Sequence, residues 1–282
     1  MNYSTPFLFT DFRMTAAQMF EEDRYDSKVL CVLDSIVCFL MTFGSADSLL
    51  SSFVWTTEEL KTPWRKVFPA PFLIVIHFCI YVLLLPITLT AFFIWLTFQH
   101  KRKPYRYIKG NQQNVQPKRE YSFGTTNLCL LPEFLSRFNN NSDNTKRAYK
   151  ISKRIADQQN EIKNSLTLSK NGKDSQNKKR TISNGIDHTI LEGFPSLDLL
   201  LIQEAWMPYC CLIMIKNMLK IFPYIVFDAG INTWKCNKFL GNSGLMIASK
   251  YPIMAVDFNV YTDKCFADHY SAKGFLQVKV VG

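Results

Sequence analysis

The sequence predicts an α+β protein with hydrophobic membrane segments in its N-terminal part and a layered α/β domain behind them. Two observations carry this. No Asp, Glu, Lys or Arg occurs from Val67 to Phe98, and a bilayer core needs only about 20 apolar residues as a helix. Beyond residue 196, apolar runs of strand length alternate with one helix-periodic stretch, the pattern of stacked sheet and helix layers.

Basic residues flank the uncharged run on both sides, Arg65 and Lys66 before it and Lys101, Arg102 and Lys103 after it. A simple span prefers positive charge on one side. Pro86 lies near the middle, where a helix kinks or breaks. Together these favour a re-entrant hairpin with both ends cytosolic over a single span. The earlier apolar stretch, Val29 to Val54, is interrupted by Asp34 and Asp47, which suits an interfacial segment better than a span. The N-terminus carries Asp11, Glu21, Glu22 and Asp23 before any long apolar run and is not a signal peptide.

The net charge of +10 is concentrated after the anchor and in the middle of the chain. Lys101 to Arg119 holds seven basic residues and no acid. Beside a membrane segment, such a cluster points to anionic lipid; a solvated linker is the alternative. The eight cysteines show no zinc spacing and no disulfide framework, as in a reduced, cytosol-facing protein. With only His77, His100, His188 and His269, no Ser-His-Asp or Cys-His set can be assembled.

These features divide the chain into a membrane-associated region, 1–110, with hydrophobic segments at about 29–54 and 67–98, and a layered α/β part, 120–282. Strands are predicted at Phe123–Leu131, Leu197–Ile202, Tyr224–Asp228, Leu245–Ser249 and Phe275–Val281, and a helix at Tyr209–Ile221. The polar stretch 139–187 reads as a flexible insertion with one helix from Thr145 to Glu161. Glu204 leaves a buried apolar strand and is a hard oxygen ligand of the kind that holds Mg²⁺; a surface Glu ending a strand is the alternative. Asn127 sits among apolar neighbours, where a buried amide needs partners. Asp268 and Lys273 flank a short loop, close enough to ion-pair.

The ordered segments Thr126–Pro132, Ile202-Gln203-Glu204, Asn242–Leu245, Ala248–Ile253 and Ser271–Gly274 resemble the membrane-anchored neutral sphingomyelinases, within the DNase I-like exonuclease–endonuclease–phosphatase superfamily. Leu130 to Asn140 and the juxtamembrane Lys101–Tyr105 are also close. The resemblance implies the first part of a DNase I-like four-layer sandwich and hydrolysis of sphingomyelin to ceramide and phosphocholine with Mg²⁺. It implies Glu204 as the metal ligand, Asn127 near the metal and scissile phosphate, Asn242 on the substrate side, and Asp268 and Lys273 as a pair that switches the site on. It implies Arg102 and Lys103 as ligands of anionic phospholipid, Cys236 as a lipidated cysteine, and self-association through the membrane segments. The anchor and the Asp268–Lys273 spacing argue against nucleic acid. The expected setting is a Golgi, plasma, endoplasmic-reticulum or mitochondria-associated membrane, with the catalytic part facing the cytosol. The family's later Thr-His-Leu, Gly-Asp-Phe-Asn and Ser-Asp-His-Xaa-Pro motifs do not occur, so the chain reads as C-terminally truncated and is expected to lack turnover alone. The alternative is a non-catalytic membrane-bound form that binds anionic lipid or a full-length relative.

Overall fold

In the computed structural model, residues 20–21, 24–43, 51, 53–61, 69–111, 116, 119–171, 196–230, 242–261 and 272–281 are described. The elements run β1 (Phe20–Glu21), α1 (Lys28–Phe43), α2 (Thr57–Leu60), α3 (Pro69–Phe98), β2 (Arg106–Lys109), β3 (Phe123–Leu130), α4 (Glu133–Phe138) and α5 (Asn144–Asn171). They continue with β4 (Leu199–Ala205), α6 (Pro208–Met218), β5 (Tyr224–Phe227), β6 (Met246–Ser249), β7 (Ile253–Val260) and β8 (Gly274–Val280). The architecture is α+β, as predicted.

Among the described residues, six strands form a mixed sheet in the order β1-β2-β5-β6-β4-β3, and β7 and β8 form a two-stranded antiparallel ribbon. β3 runs parallel to β4 and the other pairings in the sheet are antiparallel. One sheet face, with Leu128, Leu130, Leu200, Ile202, Ile225 and Phe227, packs on Ala148, Ala156, Met214, Ile215 and Met218 of α5 and α6. The other face packs Tyr224 and Val226 on Ile253, Val256, Leu276 and Val278 of the ribbon. β5 is therefore buried on both faces. This is why its Tyr-Ile-Val-Phe run does not alternate with polar residues.

Several elements depart from the sequence expectation. α3 is an unbroken 30-residue helix that contains Pro86, so the expected turn inside this run does not form. Proline removes its own N–H bond, and the Thr90 hydroxyl donates to the Pro86 carbonyl at 2.8 Å while Thr88 donates to Leu84 at 2.9 Å. Within it, Ile74 begins the one stretch among the described residues long and apolar enough to cross a membrane. α5 covers the helix expected over Thr145–Glu161 and continues to Asn171, into part of the stretch expected to be flexible; residues 172–187 of that stretch lie outside the described residues. Its polar composition conceals a narrow inner face: Ala148, Ser152, Ala156 and Gln159 are buried, Asn217 donates to the Ser152 hydroxyl at 2.8 Å, and Leu197 N–H donates to Gln159 at 2.9 Å. β7 was not predicted, because its Met254, Ala255 and Asp257 are exposed and blur the alternation.

α1 pairs with the C-terminal half of α3 through Val37, Ala91, Trp95 and Phe98. Asp34, which interrupts the apolar pattern in the sequence, is fully buried at this seam. It accepts from Arg24 at 2.8 Å, Tyr25 hydroxyl at 3.0 Å and the Trp95 indole at 3.0 Å. A charge so surrounded is compatible with an apolar helix pair. Asp34→Asn keeps an acceptor for Tyr25 and Trp95 but loses the charge that Arg24 bonds. The expected loss is about 1–2 kcal/mol, measured by denaturant unfolding in detergent micelles; an unchanged midpoint would show that Arg24 contributes nothing.

Cys210 and Cys211 of α6 face the core, and burial pushes the Cys210 thiol up from 9.0 to about 12 and that of Cys211 up as well. Both stay neutral in the fold at pH values where an unfolded chain would ionise them. The stability this contributes is complete below pH 9.0 and is lost as pH rises toward 12. Melting temperature is expected to fall across that window, and to fall less steeply in Cys210→Ala.

Candidate functional site

The site assembles where β3 and β4 end. Asn127 and Gln203 are paired in parallel register, and the pairing then slips by a bulge so that Leu130 meets Ala205. Backbone in the left-handed region, at Cys129 with φ 51° and Glu204 with φ 56°, forms the two sides of this slip. Such backbone costs an L-residue about 1–2 kcal/mol and persists only where the surroundings dictate it. Here they do. Trp206 N–H donates to the Leu130 carbonyl at 3.2 Å and Ala205 N–H to the Gly244 carbonyl at 2.9 Å. Arg147 of α5 donates to the carbonyls of Cys129 at 3.2 Å and Leu128 at 2.9 Å.

Gly244, at φ 70°, lies against Glu204. A Cβ there would stand 3.2 Å from the Glu204 Cα and would collide with the Trp206 indole. The preceding Asn242 is 5 % exposed. Its Oδ1 accepts from Gly244 N–H at 2.8 Å, and its Nδ2 donates to the Trp206 carbonyl at 3.1 Å and to Asp228 Oδ1 at 3.4 Å. Asn242 thus ties the Gly244 turn, the residue after β4 and the end of β5 together. The Lys273 ammonium lies 4.5 Å above the Trp206 ring centre, a cation–π distance.

Beneath Asn242, Asp228 is itself in the left-handed region at φ 52°. Its Oδ2 accepts from Arg102 Nη2 at 2.6 Å, with side-chain exposures of 2 % and 9 %. Arg106 stacks over Phe227 at 4.7 Å; burial lowers its pKa, and Asp228 opposes that shift.

Asn127, Glu204, Asn242 and Lys273 are therefore brought to one end of the sheet. Asn127 is solvent-exposed rather than embedded among apolar neighbours, because β3 is the sheet's edge; its Oδ1 accepts from Cys129 N–H at 3.0 Å. Arg102, expected to face lipid, is buried against Asp228, whereas Lys103 pairs with the exposed Asp26 at 3.3 Å. Asp268 and Cys236 lie outside the described residues. Asp228, Trp206 and Arg147 were not singled out from the sequence. Asp228 carried the same signal as Glu204, a carboxylate at the end of an apolar strand.

No group of three or more His, Cys, Asp or Glu gathers among the described residues. Mg²⁺ does not require one: it is commonly held by one or two carboxylates, with water and substrate phosphate completing an oxygen shell. The half-buried Glu204 carboxylate, with the exposed Asn127 amide on the neighbouring strand, fits that donor set.

No protein-family model matches the chain. It is 24 % identical over 314 residues to sphingomyelin phosphodiesterase 5 of Danio rerio, covering 84 % of this chain and 57 % of the relative. It is 26 % identical over 269 residues to sphingomyelin phosphodiesterase 5 of Mus musculus, covering 90 % and 53 %. Over 106 residues it is 34 % identical to sphingomyelin phosphodiesterase 3 of Homo sapiens, covering 36 % and 16 %. The chain thus spans a little over half the length of the first two relatives. Among solved structures, it is similar to a Staphylococcus aureus beta toxin variant with bound magnesium ions, at 18 % identity and a TM-score of 0.36 over 57 % of this chain and 44 % of that one. Sphingomyelinase C from Streptomyces griseocarneus gives 19 % identity and a TM-score of 0.35 over 56 % and 44 %. Across most of its length, this chain is thus similar in sequence to the sphingomyelin phosphodiesterases.

Proposed function

We propose that the chain is the membrane-attached part of a Mg²⁺-dependent phosphodiesterase that hydrolyses sphingomyelin to ceramide and phosphocholine, built on a DNase I-like sandwich. The observation that carries this is Glu204: an oxygen ligand held in left-handed backbone at a sheet end, braced by Gly244 and flanked by Asn127, Asn242 and Lys273. Strain of this kind gathers at functional sites. Bound there, Mg²⁺ would neutralise phosphate charge and stabilise the leaving alkoxide. Glu204 would hold it, with Asn127 oriented toward the same phosphate. Asn242 keeps the Glu204–Gly244 contact in place, and Lys273, resting on Trp206, supplies a cation on the substrate side. The Asp268–Lys273 switch belongs to this proposal.

The site's place beside a lipid surface follows from its tethers. Both flanks of α3 contact the catalytic domain. After it, Arg102 bonds Asp228; before it, Val54 and Glu59 bond Arg137 of α4. A 30-residue helix is about 45 Å long, while the eight steps from Lys61 to Pro69 reach about 28 Å at most. This supports an unbroken α3 that lies along the membrane surface rather than crossing it, with both of its flanking segments on the cytosolic side. Binding of anionic headgroups then falls to the exposed Lys101 and to Lys103 rather than to Arg102.

The test is a Mg²⁺ titration of the chain in sphingomyelin-containing vesicles, followed by melting temperature. A ligand bound only by the folded state raises it with concentration. The parent chain should respond and Glu204→Gln should not. Equal responses in both would remove Glu204 from the metal site and with it the basis of this reading.

A further inference from the structure

Residues 54–60 lie between the two apolar helices in sequence, yet they bond to the catalytic domain. Arg137 donates to the Val54 carbonyl at 3.1 Å and to Glu59 Oε2 at 2.8 Å. Thr57 N–H donates to Asn140 Oδ1 at 2.6 Å. The ion pair is mostly sheltered, with side-chain exposures of 18 % for Arg137 and 14 % for Glu59, so solvent screens it less than a surface pair. Glu59 also accepts from Thr56 N–H at 3.1 Å, which sets the carboxylate's direction through the strap's own backbone.

From Arg137 a continuous polar path leads to the site. Arg137 Nε lies 3.4 Å from Glu133 Oε1. Glu133 accepts from Asp143 N–H at 3.0 Å and from Asn144 N–H at 3.4 Å, at the start of α5. Asn144 donates to the Leu131 carbonyl at 2.7 Å and accepts from Arg147 at 3.0 Å. Arg147 then grips the Leu128 and Cys129 carbonyls. These belong to the bulge whose Cys129 N–H bonds Asn127 and whose Leu130 carbonyl receives Trp206 N–H.

We propose that Val54–Leu60 is an intramolecular strap by which the membrane-associated region sets the geometry of the Asn127–Glu204 bulge, with Arg137 and Arg147 as positioning residues. The proposal rests on the site assigned above. Each end of the strap leads into an apolar helix, so seating those helices in a bilayer determines where the strap lies. The strap determines how Arg137 orders α4 and the start of α5. Arg147, a planar fork that bonds two successive carbonyls at once, holds the left-handed turn at Cys129 that no single donor could define.

Hydrogen exchange of the full chain in phosphatidylcholine vesicles tests this without relying on turnover. Thr57 opens α2, where proline is tolerated because its N–H is not needed within the helix. Thr57→Pro removes the donor to Asn140, and Glu59→Gln removes the charge that Arg137 pairs with. In the double variant the Cys129 and Trp206 amides are expected to exchange about tenfold faster, with Ile225 and Ala248 of the central strands unchanged as the control for folding. Arg147→Lys, which keeps the charge but not the fork, is expected to give the same acceleration with the strap still protected. Faster exchange confined to 54–60 in the double variant would overturn the proposal. So would unaltered Cys129 and Trp206 amides in Arg147→Lys. Failure of the sphingomyelin reading alone would show instead as loss of the Mg²⁺ response with these exchange changes intact.

Discussion

Asp228→Ala is expected to destabilise the six-stranded sheet and its helices by about 3–5 kcal/mol, because it strands the Arg102 guanidinium in a site from which water is largely excluded. Arg102 and Asp228 meet at 2.6 Å and are both nearly inaccessible. The loss reaches further than the pair. Asp228 Oδ1 also accepts from Asn242, and Gly230 N–H donates to the Pro104 carbonyl at 2.7 Å, so the end of β5, the juxtamembrane segment and the Asn242 turn share one junction. Denaturant unfolding read by circular dichroism gives the magnitude. If Asp228→Ala costs less than about 1 kcal/mol, as a screened surface pair would, the pair is not the buried junction described above. Replacing Arg102 and Asp228 together by Met and Leu should recover much of the loss, since a buried ion pair exchanged for well-packed apolar groups is often neutral.

Gly244→Ala is expected to lose about 2–5 kcal/mol and to displace Trp206. Two independent costs combine here. An L-residue at φ 70° carries about 1–2 kcal/mol of backbone strain. A methyl group driven into the Trp206 indole adds an overpacking cost of about 1–3 kcal/mol. The indole lies beneath Lys273 and follows Glu204 by two residues, so the change should also shift tryptophan fluorescence and abolish the Mg²⁺ response assigned to Glu204. Gly244→Ala with parental stability would mean that the turn relaxes freely, and that Glu204 is not braced by it.

Local physics explains which features were legible in the chain. The uncharged run became α3, and the apolar runs ending in Glu204 and Asp228 became β4 and β5: β5 is buried on both faces and β4 is buried on one and half-buried on the other, so each keeps a continuous hydrophobic stretch that no turn residue interrupts. The site pattern was legible in part for the same reason: Glu204 and Asn242 adjoin strands whose identity was clear. The path of the chain at Pro86 was not legible, since a proline costs a helix one hydrogen bond, to the Val82 carbonyl, and whether the helix breaks or continues there depends on surroundings that the local sequence does not specify. The exposure of Asn127 was not legible either, because it depends on β3 lying at the edge of the sheet.

The sequence by itself determined the α+β architecture, an apolar segment long enough to enter a bilayer, and a carboxylate at the end of an apolar strand. Each of these rests on composition and periodicity along one stretch of chain. Only the tertiary structure decided what the charges do. Asp34, which looked like an interruption, is the acceptor that joins α1 to α3. Arg102, read as a lipid ligand, is the buried partner of Asp228. Glu59, unremarked in the sequence, pairs with Arg137. The partners in these pairs are 10, 126 and 78 positions apart. An ionic contact depends on distance and desolvation in space, and neither is written in the spacing of residues along the chain.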